Sequence, residues 1–431
     1  MIEQTTIKKV TWRLIPFLLL LYIVAWLDRV NVGFAALQMN QDLGFSSTVY
    51  GFGAGVFFAG YALFEIPSNL VLARVGARRW IARIMFTWGL ISISMIFIHN
   101  STTFYILRFL LGVAEAGFLP GIIYYLGNWY PAAQRARAVG WFMAAIPLSI
   151  VIGGPVAGLL LELNGLLGLT GWQWLFLLEG IPAVLLSFVT LVYLTDHPEQ
   201  AKWLDREQKE WLSNIIRSEQ TLAREQHQVG LTQALLHPTV WQLALIMFTC
   251  QTGSYGLSLW IPQILKELSG LSDFLTGMIT AIPYLAAAIG MVLIGAHSDR
   301  TGERFLHIAI PSMIAVIGFS LSAVLTSPIP GLIALTVAAV GDLGSRGPFW
   351  ALPGRFLSGS AAAGGIALIN TVGSVGGFVG PYAVGLVRDM TGGYTGGLLF
   401  LAALLFIGAI GTLHLRRAPV LADAAANAKT S

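Results

Sequence analysis

Four charged residues lie deep inside long apolar stretches in the first half of the chain. Asp28 and Arg29 are adjacent in the first stretch, and Arg108 and Glu115 are seven residues apart in the fourth. A charge at the centre of a membrane helix costs about 2.5–3.5 kcal/mol on insertion scales, so such residues tend to face a cavity and pair. Two acids and two bases can neutralise each other as a set.

The chemistry of these side chains indicates anion binding and proton exchange. Arginine presents a planar fork that suits a carboxylate, and it stays charged in proteins. A carboxyl group in a medium of low dielectric retains its proton more readily than in water. If a bound carboxylate captures the arginine that pairs with Asp28 or Glu115, then that acid is freed to take a proton, which couples the two events. The alternative is salt bridges that only join two helices, although buried ion pairs are often less stabilising than apolar packing.

Helical geometry separates the roles of the four residues. Arg108 and Glu115 share one helix face, about 10.5 Å apart along the axis, which places them at two levels of one cavity. The side chains of Asp28 and Arg29 differ by about 100° in direction, so both can border a cavity without both pointing at its centre.

The composition indicates that these stretches cross a membrane. Of the 431 residues, 56% are hydrophobic and only 11% are charged, whereas soluble domains have about 25% charged residues. A spanning helix needs roughly 20 apolar residues. Twelve such spans are predicted, at 12–37, 49–73, 80–98, 103–126, 137–162, 172–194, 239–265, 274–296, 305–326, 329–350, 361–387 and 395–415.

The charges outside the spans predict the domain organisation and the orientation. A charged linker at 195–238 separates a six-helix bundle at 1–194 from a second bundle and tail at 239–431, with weak motif echoes between the halves. Lys and Arg are concentrated in the N-terminal tail, the linker, alternate loops and the C-terminal tail. We therefore expect both termini and the linker to lie in the cytoplasm.

Other polar side chains inside the spans are secondary candidates. Tyr61, Tyr255 and Asn370 are candidates for substrate contact, because hydroxyl and amide groups can recognise substrate hydroxyls. Asp342 and Arg346 lie four residues apart on span 10 and are either a self-neutralising helical pair or a substrate or gate element of the second half. The sequence has no nucleophile elbow, phosphate loop or Cys/His metal cluster, so we expect neither an enzyme nor a metal or cofactor.

Several motifs give the chain a family resemblance. The segment "GAHSDRTGER" at 295–304 is similar to the loop signature of the major facilitator superfamily, and it contains Asp299, Arg300 and Arg304. The motifs "LDRVNVGFA", "RFLLGVAEAGFLPG" and "GPFWALP" resemble the anion:cation symporter family within it. The segments "EIPSNLVLARVGARRW" and "GWQWLFLLEGIPA" look most like its bacterial tartrate, rhamnonate and 4-hydroxyphenylacetate permeases.

The resemblance implies an all-α fold of twelve transmembrane helices in two six-helix bundles. It also implies that Arg29 is a substrate-carboxylate ligand, that Asp28 and Glu115 are proton sites, and that Arg108 belongs to the coupling network. One departure is Ala73, where the superfamily usually has Asp in the first-half loop. A charge latch between loop and helix ends is therefore expected after span 8, around Asp299, rather than after span 2.

These observations predict a symporter that takes up a small organic carboxylate with protons. A hydroxylated acid such as tartrate or a sugar acid is favoured, with a proton-independent exchanger or an aromatic-acid symporter as alternatives. The expected partners are the substrate, protons and the lipid bilayer of the inner membrane, without nucleic acid, and the expected state is a monomer.

Overall fold

The computed structural model describes residues 2–143, 145–225, 237–356 and 359–416. Each of the twelve predicted spans is helical there, and we keep the span numbers for the observed helices. In order, the helical segments of the spans are Ile2–Asp42; Ser47–Val75; Ala77–Ser94 with the 3-10 turn Met95–Phe97; Ser101–Glu115 and Phe118–Gly127; Ala132–Met143 and Ala145–Leu161; Gly171–Tyr193; Pro238–Ser269; Asp273–Thr301; Leu306–Val324; Pro328–Gly344 and Arg346–Trp350; Gly359–Thr391; and Thr395–Leu415.

Eleven of these segments within the described residues are long and apolar enough to cross a bilayer. Span 7, Pro238–Ser269, is the remaining one, and its 32 residues would extend about 48 Å. Its lower hydropathy comes from polar residues along the helix, including Gln251, Ser254 and Ser258. A long helix that keeps polar groups inside a membrane protein is expected to place them towards other helices or a cavity.

Span 4 is interrupted beside one of the charged residues. Its first segment ends at Glu115, and Gly117 has a φ of 87°, in the left-handed region that favours glycine. A Cβ at Gly117 would lie 2.4 Å from Ser68 Oγ on span 2, so a larger residue would also clash. The break places the Glu115 carboxylate at a helix end inside the molecule, an arrangement that transporters use at binding sites.

The two halves are packed closely at the end opposite the termini. A Cβ at Gly51 of span 2 would lie 2.5 Å from the carbonyl oxygen of Pro381 on span 11. A Cβ at Gly154 of span 5 would lie 2.5 Å from the carbonyl oxygen of Gly277 on span 8. Because backbones this close admit no side chain, glycine brings the bundles into direct contact here.

Hydrogen bonds reinforce this closed end. The Asp389 carboxylate of span 11 accepts from the backbone N–H groups of Ser47 and Thr48, at 3.0 and 2.7 Å. Asn40 of span 1 donates to Gln263 of span 7 at 3.2 Å. Negative charge at a helix N-terminus is stabilising, so Asp389 also caps span 2.

The linker contains a helix, Arg206–Glu225, that is docked on the first half. The Glu219 carboxylate accepts from the backbone N–H of Ala132 at 3.0 Å and pairs with Arg135 at 3.4 Å. Nearby, the rings of Trp129 and Trp203 are stacked 5.4 Å apart. The linker therefore packs at the end that carries the termini.

Candidate functional site

A buried ion pair between Arg29 and Glu115 lies where the first half meets the second. The Arg29 Nη2 donates to Glu115 Oε1, and the two side chains are only 8% and 2% exposed. The pair joins span 1 to the broken end of span 4. Removing either partner of such a pair would leave the charge of the other buried and uncompensated, so the two residues depend on each other.

Aromatic rings surround the Arg29 guanidinium. Its central carbon lies 5.2, 5.4 and 5.3 Å from the ring centroids of Trp26, Phe57 and Tyr61, respectively. Such cation–π contacts stabilise a desolvated charge. Tyr61, a predicted substrate ligand, therefore lies beside Arg29 in the structure.

Tyr255 brings the second half to the same guanidinium. Arg29 Nη1 donates to the Tyr255 hydroxyl oxygen at 3.2 Å. The Tyr255 ring is stacked on Trp26 at 6.1 Å and lies 4.1 Å from the ring of Phe58. The predicted ligands Arg29 and Tyr255, 226 residues apart in sequence, thus meet across the interface between the bundles.

Asp28 occupies a separate environment from Arg29. Its carboxylate accepts from Trp88 Nε1 at 2.8 Å and from Ser92 Oγ at 2.7 Å, both on span 3. Asn31, one turn further along span 1, donates weakly at 3.4 Å. The two acids of the predicted set therefore differ, because Glu115 is paired with a base whereas Asp28 accepts from neutral groups.

The sequence reasoning did not identify Trp88 and Ser92. Their only sequence signal is a Trp and a Ser spaced four residues apart in an otherwise apolar span, which places both on one helix face. That spacing is common in ordinary membrane helices, so it does not by itself indicate the partner of a carboxylate.

Arg108 is bound by the backbone of span 2 rather than by an acid. Its Nε and Nη2 donate to the carbonyl oxygens of Gly53 and Ala54, at 3.3 and 3.2 Å. The side chain is fully buried and lies within electrostatic range of Glu115. The structure thus does not join the four charges into one hydrogen-bonded set, and the place of Arg108 in proton coupling stays a prediction.

A second arginine–carboxylate pair lies in the second half. Arg346 Nη2 lies 3.5 Å from Asp342 Oδ1 and donates to Ser254 Oγ at 2.5 Å, and Ser254 in turn donates to Asp342. The same guanidinium donates to Gln251 Oε1 at 3.0 Å and to the carbonyl oxygen of Cys250 at 2.7 Å. Span 7 therefore provides contacts to both arginines.

Asn370 lies beside these groups but contacts an acid of the other half. Its amide donates to Glu65 Oε1 at 2.7 Å, linking span 11 to span 2 one turn from Tyr61. The predicted role of Asn370 in substrate binding stays a prediction. In this structure it is a link between the bundles on the side of the site nearer the termini.

The signature after span 8 forms a compact local network. Arg304 Nη1 donates to Asp299 Oδ1 at 2.6 Å and to Ser298 Oγ at 2.9 Å. Arg300 is exposed beside them. Asp299, in the last turn of span 8, thus pairs with Arg304 in the loop that follows, and its predicted function in gating stays a prediction.

Comparison with known proteins decides the family. A family model described as Major Facilitator Superfamily matches residues 18–381. The chain belongs to the major facilitator superfamily. It is therefore a multi-pass membrane transporter, and both the predicted fold and the expectation of a transporter rather than an enzyme are confirmed.

Curated relatives extend over nearly the whole chain. A protein of Agrobacterium vitis named "Putative tartrate transporter" is 53% identical over 96% of this chain and 92% of its own length. The Quinolone resistance transporter of Acinetobacter baumannii is 46% identical over 95% of this chain and 94% of its own. The Inner membrane transport protein RhmT of Escherichia coli is 41% identical over 98% of each chain. The predicted resemblance to tartrate and rhamnonate permeases is confirmed.

Solved structures share the fold at low sequence identity. A bacterial homologue of the human lysosomal transporter Spinster, in an inward-facing and occupied conformation, has a TM-score of 0.76 and 18% identity. The match covers 94% of this chain and 96% of that one.

Proposed function

We propose that this transporter takes up a small organic carboxylate together with protons. The observation that carries the proposal is the buried Arg29–Glu115 pair at the interface of the two halves. Glu115 binds the Arg29 guanidinium through a carboxylate, and a substrate carboxylate offers the same ligand geometry. The substrate can therefore take the place of Glu115 on Arg29. A hydroxylated acid such as tartrate or a sugar acid is favoured, and tartrate is in line with the name of the 53% identical relative.

Coupling follows from competition for one guanidinium. A substrate carboxylate that binds Arg29 displaces Glu115, and the displaced carboxylate, still away from water, takes a proton. Asp28 provides a second proton site, since its Trp88 and Ser92 partners carry no charge and do not hold it ionised as a base would. Proton and substrate binding then favour each other by the same coupling free energy.

Alternating access supplies the movement. The glycine contacts between spans 2 and 11 and between spans 5 and 8 close one end of the site by direct approach of the backbones. Rocking of the two bundles about Arg29 and Tyr255 would open that end and close the other.

The charge distribution supports an orientation for this cycle. Because Lys and Arg are concentrated at the end with the termini and the linker, that end is placed in the cytoplasm and the glycine-closed end outside. The membrane in this proposal is the inner membrane, where the proton gradient and the potential, at about 2.3 kcal/mol per charge per 100 mV, drive uptake.

Proteoliposomes test the proposal directly. Purified protein is reconstituted, and uptake of labelled tartrate is measured with an imposed pH gradient, acidic outside, and without one. We expect accumulation above equilibrium only with the gradient, together with proton entry reported by an internal pH dye. Equal uptake in both conditions would identify a proton-independent exchanger or facilitator instead.

A symporter of an aromatic acid is the second candidate. The aromatic rings of Trp26, Phe57, Phe58, Tyr61 and Tyr255 around the site favour it, because rings can stack on an aromatic substrate. Competition by 4-hydroxyphenylacetate in the same uptake assay distinguishes the candidates. Stronger inhibition by this acid than by unlabelled tartrate would favour the aromatic substrate.

A further inference from the structure

Arg346 and Arg29 approach one face of span 7. At 100° per residue, Gln251, Ser254, Tyr255 and Ser258 fall within an arc of about 100°. Tyr255 contacts Arg29, and Gln251 and Ser254 contact Arg346. Gln251 and Tyr255 differ by about 6 Å along the helix axis. The span 7 side chains that contact the two guanidinium groups, one group from each half, therefore lie on one helix face within about one turn of each other.

Arg346 is directed at span 7 rather than at Asp342. A helical pair at this spacing that only neutralised itself would be expected to place guanidinium and carboxylate in close contact. Instead the contact with Asp342 is long, at 3.5 Å, whereas those with Cys250 and Ser254 are 2.7 and 2.5 Å. Its side chain is 14% exposed, so it is largely withdrawn from water.

Hydrogen-bonding capacity remains unused beside this pair. The Tyr284 hydroxyl of span 8 is buried, lies within electrostatic range of Asp342, and has no hydrogen-bond partner among the described residues. The Arg346 Nε is also buried and has no hydrogen-bond partner among the described residues. A buried polar group without a partner costs about 1–3 kcal/mol. Both groups are donors, and an anion would supply the missing acceptors.

We propose that Arg346 binds a second carboxylate of the substrate, so that the protein transports a short dicarboxylate held between Arg29 and Arg346. Asp342, which lies 3.5 Å from Arg346 and accepts from Ser254, is then an internal acid that balances the charge of the guanidinium until the substrate arrives. Two carboxylates separated by two carbons match a gap on the order of one helical turn, 5.4 Å. The inference rests on the proposed function and narrows its substrate class.

Two ligands that differ only in the second carboxylate test this assignment. Tartrate and threonate share a carboxylate and two hydroxyls, and threonate has a hydroxymethyl group in place of the other carboxylate. Binding of each to the purified full chain is measured by isothermal titration calorimetry. We expect the wild type to bind tartrate at least tenfold more tightly, the effect of about one charge-assisted hydrogen bond or more.

Substitutions connect that difference to Arg346. Arg346→Gln is expected to weaken tartrate at least tenfold and leave threonate within about threefold. The double variant Asp342→Asn with Arg346→Gln removes both charges together, so it leaves no unpaired buried acid. We expect it to show the same change in the two affinities as Arg346→Gln. Arg206→Gln, on the exposed linker helix, is the control and should change neither affinity.

The possible results separate the two levels of the proposal. Equal wild-type affinities for the two acids would overturn the role of Arg346 while leaving carboxylate binding at Arg29 intact. An equal loss of both ligands in the double variant would make Arg346 a structural residue and overturn the inference. Binding of neither acid by the wild type would contradict the proposed function itself. If Arg346→Gln does not fold, the ratio of tartrate to threonate affinity in the wild type and the affinities of the double variant decide the question.

Discussion

At the scale of single residues, the structure divides the four buried charges into different kinds of environment. Arg29 and Glu115 form a pair, Asp28 accepts from neutral donors, and Arg108 is bound by backbone carbonyls. Charge balance alone would allow two complete acid–base pairings among them. The observed division favours Arg29 for the proposed anion binding, because its guanidinium also contacts the other half, at Tyr255.

Replacing Arg29 by Lys keeps the charge but removes the fork. We expect the affinity for tartrate to fall about tenfold or more, because an ammonium cannot hold a carboxylate through two parallel hydrogen bonds. Calorimetric titration of the purified variant measures the loss, and Arg206→Lys on the linker helix is the matched control. Unchanged affinity would count against bidentate binding at Arg29.

Replacing Glu115 by Gln removes the acid that we propose competes with the substrate for Arg29. We expect gradient-driven accumulation to disappear while exchange of internal for external substrate continues, because exchange needs no net proton movement. The ligand-free variant should also unfold at a lower temperature, since Arg29 loses its partner. Glu162→Gln, an exposed residue after span 5, is the control. Surviving accumulation would show that Glu115 is not the proton site.

At the scale of elements, glycine decides how closely helices of the two halves approach. Span 8 offers a matched pair of positions for testing this. A Cβ at Gly277 would lie 2.2 Å from the carbonyl oxygen of Gly154 on span 5, whereas a Cβ at Gly295 would meet nothing within 4 Å.

Gly277→Ala should therefore open the end opposite the termini. Overpacking costs about 1–3 kcal/mol, enough to raise the population of open conformations roughly five- to 150-fold where they are rare. The measurement is the labelling rate of Asn40→Cys, at the closed end, in a Cys250→Ser background with and without each glycine substitution, so that the lost Asn40–Gln263 hydrogen bond is common to all. Gly295→Ala should leave the rate unchanged. Equal labelling in the two glycine variants would show that this contact does not control closure.

At the scale of the whole molecule, the distribution of basic residues predicts the orientation in the membrane. Leu167, in the loop after span 5, is 83% exposed at one end, and the Asp205 side chain, in the linker, is 77% exposed at the other. In spheroplasts, a membrane-impermeant maleimide should label Leu167→Cys at once and Asp205→Cys only after permeabilisation. The reverse pattern would place the termini outside.

Much of the fold could be predicted from the sequence, because a bilayer admits few solutions. Every backbone polar group must be satisfied within the membrane, so a long apolar stretch must be a helix. All twelve predicted stretches are helical in the described residues. The break after Glu115 was not predicted, because it depends on a left-handed glycine packed against Ser68 of another span.

The sequence predicted the charged residues of the candidate site, but it predicted fewer of the contacts that those residues make. Charges inside apolar spans are expensive enough to identify Asp28, Arg29, Arg108 and Glu115 by their position alone. Trp88 and Ser92 were missed because Trp and Ser are unremarkable in a membrane helix until another span presents a carboxylate to them.

The sequence by itself determined that this chain is a twelve-span membrane protein with buried opposite charges, since hydropathy and the cost of a charge in lipid are properties of each residue and its neighbours. Only the tertiary structure decided which charges meet. Residues 29, 115 and 255 come together because spans 1, 4 and 7 direct these side chains to one point, and no local property of the sequence encodes that arrangement. The same packing placed Arg346 against span 7 and so made it a candidate ligand for a second carboxylate.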